Sequence, residues 1–151
     1  MLAVRRLGEG DIAGFRAMNA LFCDVFEEPA QYAVHPPDDA YAAHWLGESR
    51  NIAILAERDG KAVGALAGYE LPKFEQVRSE LYIYDLAVHA EHRRQGIATA
   101  MIGEMRRIAR AIGAWTIFVQ ADVLPEDEPA RALYRKLASD EIMAYHFDIA
   151  P

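Results

Sequence analysis

The 151-residue chain carries one cysteine, Cys23. No intrachain disulfide can form and a thiolate metal cluster is excluded. With no activating histidine pair nearby, Cys23 reads as a small core thiol on an amphipathic helix. No apolar run approaches the length of a membrane-crossing helix, and Met1 leads into a strand-like segment instead of a secretion signal, so a cytoplasmic protein is expected. Positive charge is scarce: 16 Lys and Arg against 23 Asp and Glu leave a net charge of −7. That balance argues against nucleic acid and anionic membrane as partners and is compatible with a cationic small molecule. Two nucleotide loops are missing by their spelling, since neither Gly-x-x-x-x-Gly-Lys-Ser/Thr nor Gly-x-Gly-x-x-Gly occurs. His89 and His92 have no carboxylate or cysteine at ligand spacing, so no metal is expected.

With 52% hydrophobic and 26% charged residues, residues 1–151 read as a single folded domain able to bury most of its apolar surface. Residues 2–7 suggest a strand. From Asp11, Ile12, Phe15, Met18, Phe22 and Val25 or Phe26 recur at helical spacing. Residues 27–39 read as a loop crowded with carboxylates, followed by a short helix over 40–46. Asp59-Gly60 joins strands 52–56 and 62–71 in a hairpin, and residues 81–88 form a strand covered on both faces. A helix over 97–112 ends at Gly113, and a strand over 115–120 should lie parallel beside residues 81–88. An acidic loop, a helix over 129–137 and a last strand over 142–149 complete an α/β fold, one mixed sheet with helices on both faces.

Two features carry chemistry. The run from Leu86 to Ala100 takes an apolar strand through a basic, glycine-punctuated turn into a helix. Such a turn aims free backbone N–H groups and the positive end of the helix dipole at one point, an anion site. Gly96 would let a pyrophosphate approach the main chain, and Arg93 and Arg94 add donors matched to phosphate oxygens. The second feature is Asp85, a carboxylate inside an otherwise apolar strand, costly unless paired. It is either salt-bridged to an arginine or placed to hold a substrate amine.

The spelling Arg93-x-x-Gly96-x-Ala98 after an apolar strand resembles the coenzyme A pyrophosphate loop of GNAT-type N-acetyltransferases. Asp127-Glu128-Pro129-Ala130-Arg131-Ala132-Leu133-Tyr134 resembles that superfamily's later motif, although Asp127 stands where asparagine is usual and Ala138-Ser139 replaces the usual glycine-aromatic pair. Residues 60–149, including Lys73-Phe74-Glu75-Gln76, Tyr82–Val88, Val119–Asp122 and His146–Ile149, are similar to the aminoglycoside 3-N-acetyltransferases of the type I class.

The resemblance implies a GNAT fold and acetyl transfer from acetyl-CoA to the 3-amino group of a gentamicin-like aminoglycoside, without a metal. It implies that Leu86, Ala87 and Val88 hold the pantetheine arm and that the Val88 amide polarises the thioester. Arg93, Arg94, Gln95, Gly96, Ile97, Ala98, Thr99 and Asp127 would contact the coenzyme. Asp85 would be the base, with Glu80 second, and Tyr134 the acid toward the departing thiolate. Tyr84, Asp85, Glu28 and Asp122 would receive the acceptor, His146 and Asp148 could line it, and a homodimer is implied. Alternatives are acetylation of a polyamine or protein N-terminus, and a non-catalytic acyl-CoA-binding module.

Overall fold

In the computed structural model, which describes residues 1–151, strand β1 (Leu2–Arg6) pairs antiparallel with β2 (Asn51–Arg58). Strand β2 turns into β3 (Lys61–Pro72) through Asp59 and Gly60, both at positive φ (51° and 75°), the backbone that suits a two-residue hairpin. Strand β3 pairs antiparallel with β4 (Ser79–Val88), and β5 (Thr116–Val119) completes the order β1-β2-β3-β4-β5. Trp115 N–H donates to the Ser79 carbonyl at 2.8 Å, and the Phe118 ring stacks on Tyr82 at 4.6 Å. The paired positions rise together along both strands, so β5 runs parallel to β4, as expected for a right-handed crossover.

Side-chain alternation sorts the two faces of the sheet. Ala53 and Leu55 of β2, Ala65 of β3 and Ala87 of β4 join a buried cluster with Phe15, Met18, Leu21 and Phe22 of α1 (Ile12–Phe26) and Ala42 and Leu46 of α3 (Asp39–Gly47). The opposite face packs on α4 (Ile97–Ile112), which buries Ile97, Met101, Ile102, Met105 and Ile108. Full burial of such a side chain contributes about 1.5–3 kcal/mol, so this stripe dominates what holds α4 in place. The helix stops at Gly113, φ 71°, with Gly113 and Ala114 N–H groups donating back to Arg110 and Ala109 carbonyls.

Strand β4 departs from regular pairing at one place. Ala67 faces Asp85 and Gly68 faces Ile83, so Tyr84 is an extra residue and forms a bulge. Gly68 is needed there for close approach: a Cβ would stand 2.5 Å from the Tyr82 carbonyl oxygen and 3.0 Å from the Met105 methyl.

The backbone divides into two compact units, Met1–Phe118 and Val119–Pro151. In the second, a 3-10 turn (Pro125–Asp127) leads into α5 (Glu128–Leu137), with Pro129 in its first turn. Arg131 ties this unit together, donating to the carbonyls of Asp122 and Leu124 and to the Glu128 carboxylate.

Four expectations need correction. The loop over 27–39 contains a helical turn, α2 (Pro29–Tyr32), because Pro29 supplies a preset first-turn φ just after α1 ends on Glu27 in left-handed conformation. The strand expected over 142–149 belongs to no sheet, since alternation makes a strand only where a neighbour completes the ladder. Cys23 is only partly covered, lying beside the buried stripe of α1 and not within it. Ile112, which the helical spacing of residues 97–112 puts on the same apolar face as Met101, Met105 and Ile108, is 43% exposed, because it stands in the last turn of α4.

Gly68→Ala should therefore lower stability by about 1–3 kcal/mol through overpacking. Gly103→Ala, on the exposed face of α4 with nothing within 4 Å of where the added methyl would stand, should raise stability by up to about 1 kcal/mol. Urea unfolding of both variants checks the pair.

Candidate active site

Asp85 follows the bulge and is half-buried. Its partner is the Tyr32 hydroxyl, which donates to Asp85 Oδ2 at 2.7 Å; no arginine pairs with it. Tyr32 comes from α2, 53 residues away in sequence. It is held by the aromatic stripe of α1, with ring centroids 5.9 Å from Phe22 and 6.1 Å from Phe26. Phe22 and Phe26 stack on each other at 5.6 Å. The stripe thus fills core and aims Tyr32 at the carboxylate.

Burial raises the Asp85 pKa above the usual carboxylate range, the Tyr32 hydrogen bond opposes that shift, and the nearby Glu28 carboxylate adds to it. A hydrogen bond to a charged group contributes about 1.5–3 kcal/mol, yet desolvation is the larger effect here. Burial, with the adjacent carboxylate, pushes the Tyr32 hydroxyl far above the ordinary phenol range, so Tyr32 remains a donor. Tyr84, 55% exposed at the bulge, meets Tyr69 edge-on at 5.8 Å and Tyr82 at 5.7 Å. Trp45 extends the cluster onto Tyr69. The result is a carboxylate set among aromatic rings with a second carboxylate nearby, a surface suited to an ammonium group on an amphipathic body.

Strand β5 ends at Val119, beside the middle of β4, whereas β4 continues to Val88. Leu86, Ala87 and Val88 pair with Leu66, Ala65 and Gly64 on one side. Beyond β5 their other side is an unpaired strand edge, to which an extended amide-bearing chain can add. The chain then passes through a 3-10 turn (Ala90–His92) to Arg93, Arg94, Gln95 and Gly96. Arg94 and Gly96 both have positive φ, 60° and 78°. No side chain caps α4 at Gly96, and the Ala100 N–H is bonded to the Gly96 carbonyl. The first-turn N–H groups of Ile97, Ala98 and Thr99 therefore have no acceptor within the helix.

Arg93 Nε donates to the Val88 carbonyl at 3.2 Å. Gln95 is anchored by Arg58 at 2.6 Å and reaches the Glu91 carbonyl. Exposed guanidinium groups, first-turn amides without an acceptor inside the helix and the N-terminus of a 16-residue helix fit a diphosphate. A cleft of about 540 Å³ opens beside this loop, lined in part by Lys61, His89, His92 and Arg93.

The fold brings together Glu28, Tyr84 and Asp85, and separately the residues from Arg93 to Thr99. Glu80 is held by Lys73 at 3.6 Å, an ion pair that occupies the second candidate base. His89 Nδ1 lies 3.3 Å from Asp24, a partner supplied by α1 that linear spacing could not reveal. Asp122, Asp127 and Tyr134 all belong to the second unit: Asp122 through its carbonyl on Arg131, Asp127 at the start of α5 and Tyr134 partly covered on α5. Tyr32 and Arg131 are the residues that sequence reasoning missed. The proline after Glu28 was the available signal for the turn carrying Tyr32.

The two neighbours of Asp85 act with opposite sign. Tyr32→Phe removes a donor that favours the charged carboxylate and should move the Asp85 titration to higher pH. Glu28→Gln removes a repelling anion and should move it to lower pH. Side-chain carboxyl NMR across a pH series reads both shifts directly.

Residues 16–138 match the model of the acetyltransferase (GNAT) family. No curated protein gives a significant match. Among solved structures, an aminoglycoside acetyltransferase from an uncultured soil metagenomic sample is 46% identical, with 100% of this chain and 99% of that chain covered and a TM-score of 0.97. A second soil metagenomic aminoglycoside acetyltransferase, in complex with sisomicin, is 28% identical, with coverage of 99% and 97% and a TM-score of 0.84. A ribosomal-protein-alanine N-acetyltransferase from Brucella melitensis is 26% identical, with coverage of 99% and 100% and a TM-score of 0.72. The pyrophosphate-type loop, the open edge of β4 and these matches agree: the chain belongs to the GNAT family of acetyltransferases, enzymes that take acetyl-CoA as acyl donor.

Proposed function

We propose that the chain, acting as one acetyltransferase domain over residues 1–151, is a cytoplasmic enzyme that acetylates the 3-amino group of an aminoglycoside of the gentamicin type. The observation that carries this reading is Asp85, desolvated at a bulge, engaged by Tyr32 and flanked by Glu28 and exposed Tyr84. Carboxylates answer the several ammonium groups of such a sugar, and tyrosine faces answer its apolar ring surfaces. The 46% identity to a soil aminoglycoside acetyltransferase supports the same class of acceptor.

Acetyl-CoA supplies the activated acyl group. The amides of Ile97, Ala98 and Thr99, with Arg93, Arg94, Gln95 and Gly96, bind its pyrophosphate, and Asp127 contacts the coenzyme. The edge formed by Leu86, Ala87 and Val88 takes the pantetheine arm, and the Val88 N–H polarises the thioester oxygen. Tyr32 occupies Asp85 Oδ2 and leaves Oδ1 to orient the acceptor ammonium and take its proton. An anion beside an amine favours the protonated amine, which opposes nucleophilic attack. The raised Asp85 pKa narrows that gap, because a more basic carboxylate removes the proton more readily. Tyr134 protonates the leaving thiolate, and Asp122 contributes to acceptor binding.

Thiol release from acetyl-CoA should occur with gentamicin, yield a product carrying one acetyl group, and exceed that with kanamycin or spermidine. Two-dimensional NMR of the product should place the acetyl on the 3-amino nitrogen. Asp85→Asn should lower kcat/KM for gentamicin by about 10²–10⁴-fold, the usual scale for a lost general base. Tyr134→Phe should lower kcat with little change in KM. Turnover confined to spermidine or a peptide N-terminus would displace the aminoglycoside reading, and absence of thiol release with every acceptor would leave only acyl-CoA binding.

A further inference from the structure

On β3, Ala67, Tyr69 and Leu71 alternate in step with Ala65 and so point to the sheet face that carries α1 and α3. Their partners on β4 are Asp85, Tyr82 and Glu80, and directly opposed residues share a face. Asp85 and Glu80 therefore stand on one surface. The positions opposite them, Ala67 and Leu71, are four residues apart, about 13 Å at the rise of a strand. Tyr82 and Tyr84 fill the interval. Their rings meet each other at 5.7 Å, Tyr84 meets Tyr69 at 5.8 Å, and Tyr82 stacks on Phe118 at 4.6 Å. Two anionic groups joined by aromatic faces match a molecule that carries two ammonium groups on a body with apolar faces.

The carboxylate at the far end already attracts an ammonium. Lys73 Nζ lies 3.6 Å from Glu80 Oε2 and 3.8 Å from Glu75 Oε1, both longer than a hydrogen bond. Glu80 is the better covered of the two, with 17% of its side chain exposed against 39% for Glu75. Its charge is the less screened and draws a cation more strongly. Arg78 Nη2, 3.9 Å from Glu75, gives Glu75 a second cation. If another ammonium takes Glu80, Lys73 can remain with Glu75 and no charge is left unpaired. The flexible four-carbon stem of lysine suits such an exchange.

We propose that Glu80 is the second ammonium site of the acceptor groove and selects among substrates. The reacting amine lies at Asp85, a distant amine of the same molecule displaces Lys73 from Glu80, and Tyr82 and Tyr84 carry the body between them. This rests on the aminoglycoside reading of the Asp85 site and extends it to the rest of the substrate. With an N···O contact of roughly 3 Å at each end, the two amines stand about 7–13 Å apart. They belong to different sugar rings, and a single-ring amine cannot reach both carboxylates.

Glu80→Gln should raise KM for gentamicin about tenfold, the scale of one lost charge-assisted contact, and lower its preference over the single-ring 2-deoxystreptamine by the same factor. Lys73→Met should act in the opposite direction, lowering KM for gentamicin several-fold because the competing ammonium is gone. In the Glu80→Gln/Lys73→Met double variant, the lysine change should have no further effect. Calorimetric titration of gentamicin in the absence of acetyl-CoA should give the same order of affinities independently of turnover, and far-ultraviolet circular dichroism checks the fold of each variant. An ion pair that merely anchors the loop would make both single substitutions shift KM and Kd in the same direction, which would overturn the proposal. A fall in kcat at unchanged KM for Glu80→Gln would also overturn it, by making Glu80 a base, as would equal losses for gentamicin and 2-deoxystreptamine. Gentamicin turnover with KM unchanged in both variants defeats this proposal alone. If the unaltered protein neither binds nor acetylates gentamicin, the acceptor reading fails with it.

Discussion

The 2.7 Å hydrogen bond from Tyr32 to Asp85 joins parts of the chain that share no proximity in sequence. A carboxylate on an inner strand is partly withdrawn from water, and its hydrogen-bond donor is a phenol delivered by a four-residue helical turn. Delivery depends on the stacked rings of Phe22 and Phe26, and these depend on the packing of α1 against the sheet. The same surroundings shift the proton affinity of Asp85: burial raises it most, Tyr32 limits the rise and Glu28 adds to it. Packing and acid–base behaviour are thus set by one arrangement.

Strand β4 has three duties that its irregularities separate. Before the bulge, it is an interior strand between β3 and β5. At the bulge, Gly68 allows the backbones to approach and Tyr84 is turned out as the extra residue. After the bulge, β4 outlasts β5 and feeds a loop whose positive φ values at Arg94 and Gly96 leave the start of α4 uncapped. An acyl donor needs an open strand edge followed by a phosphate cradle, and an acceptor needs a carboxylate at the near end of that edge. In the proposed reaction one strand would supply all three.

What could be read from the residues alone rests on local physics. Hydrophobic period located α1, α4, the hairpin at Asp59-Gly60 and the crossover to β5, because side-chain spacing reports burial directly. The loop from Arg93 to Thr99 was legible because its geometry is encoded by contiguous residues. Asp85 stood out because a lone carboxylate in an apolar strand is costly without a partner. The partner was not legible: nothing in linear spacing ties Tyr32 to a residue 53 positions away, and the loop reading of 27–39 concealed the turn that carries it.

The C-terminal segment shows the same division. Alternating side chains at residues 142–149 pattern a strand, and the Tyr145–Phe147 and His146–Asp148 contacts join residues two apart, yet the segment pairs with no other strand. A sheet also needs a neighbouring backbone, which no residue pattern within a strand supplies. The sequence by itself determined the mixed α/β order, the basic, glycine-punctuated turn into α4 and the presence of a carboxylate that had to be satisfied. Tertiary structure alone decided that Tyr32 satisfies it, that the bulge turns Tyr84 outward and that residues 142–149 stay outside the sheet. Each of these is a pairing between distant segments, and its energy exists only once the chain has brought both sides together.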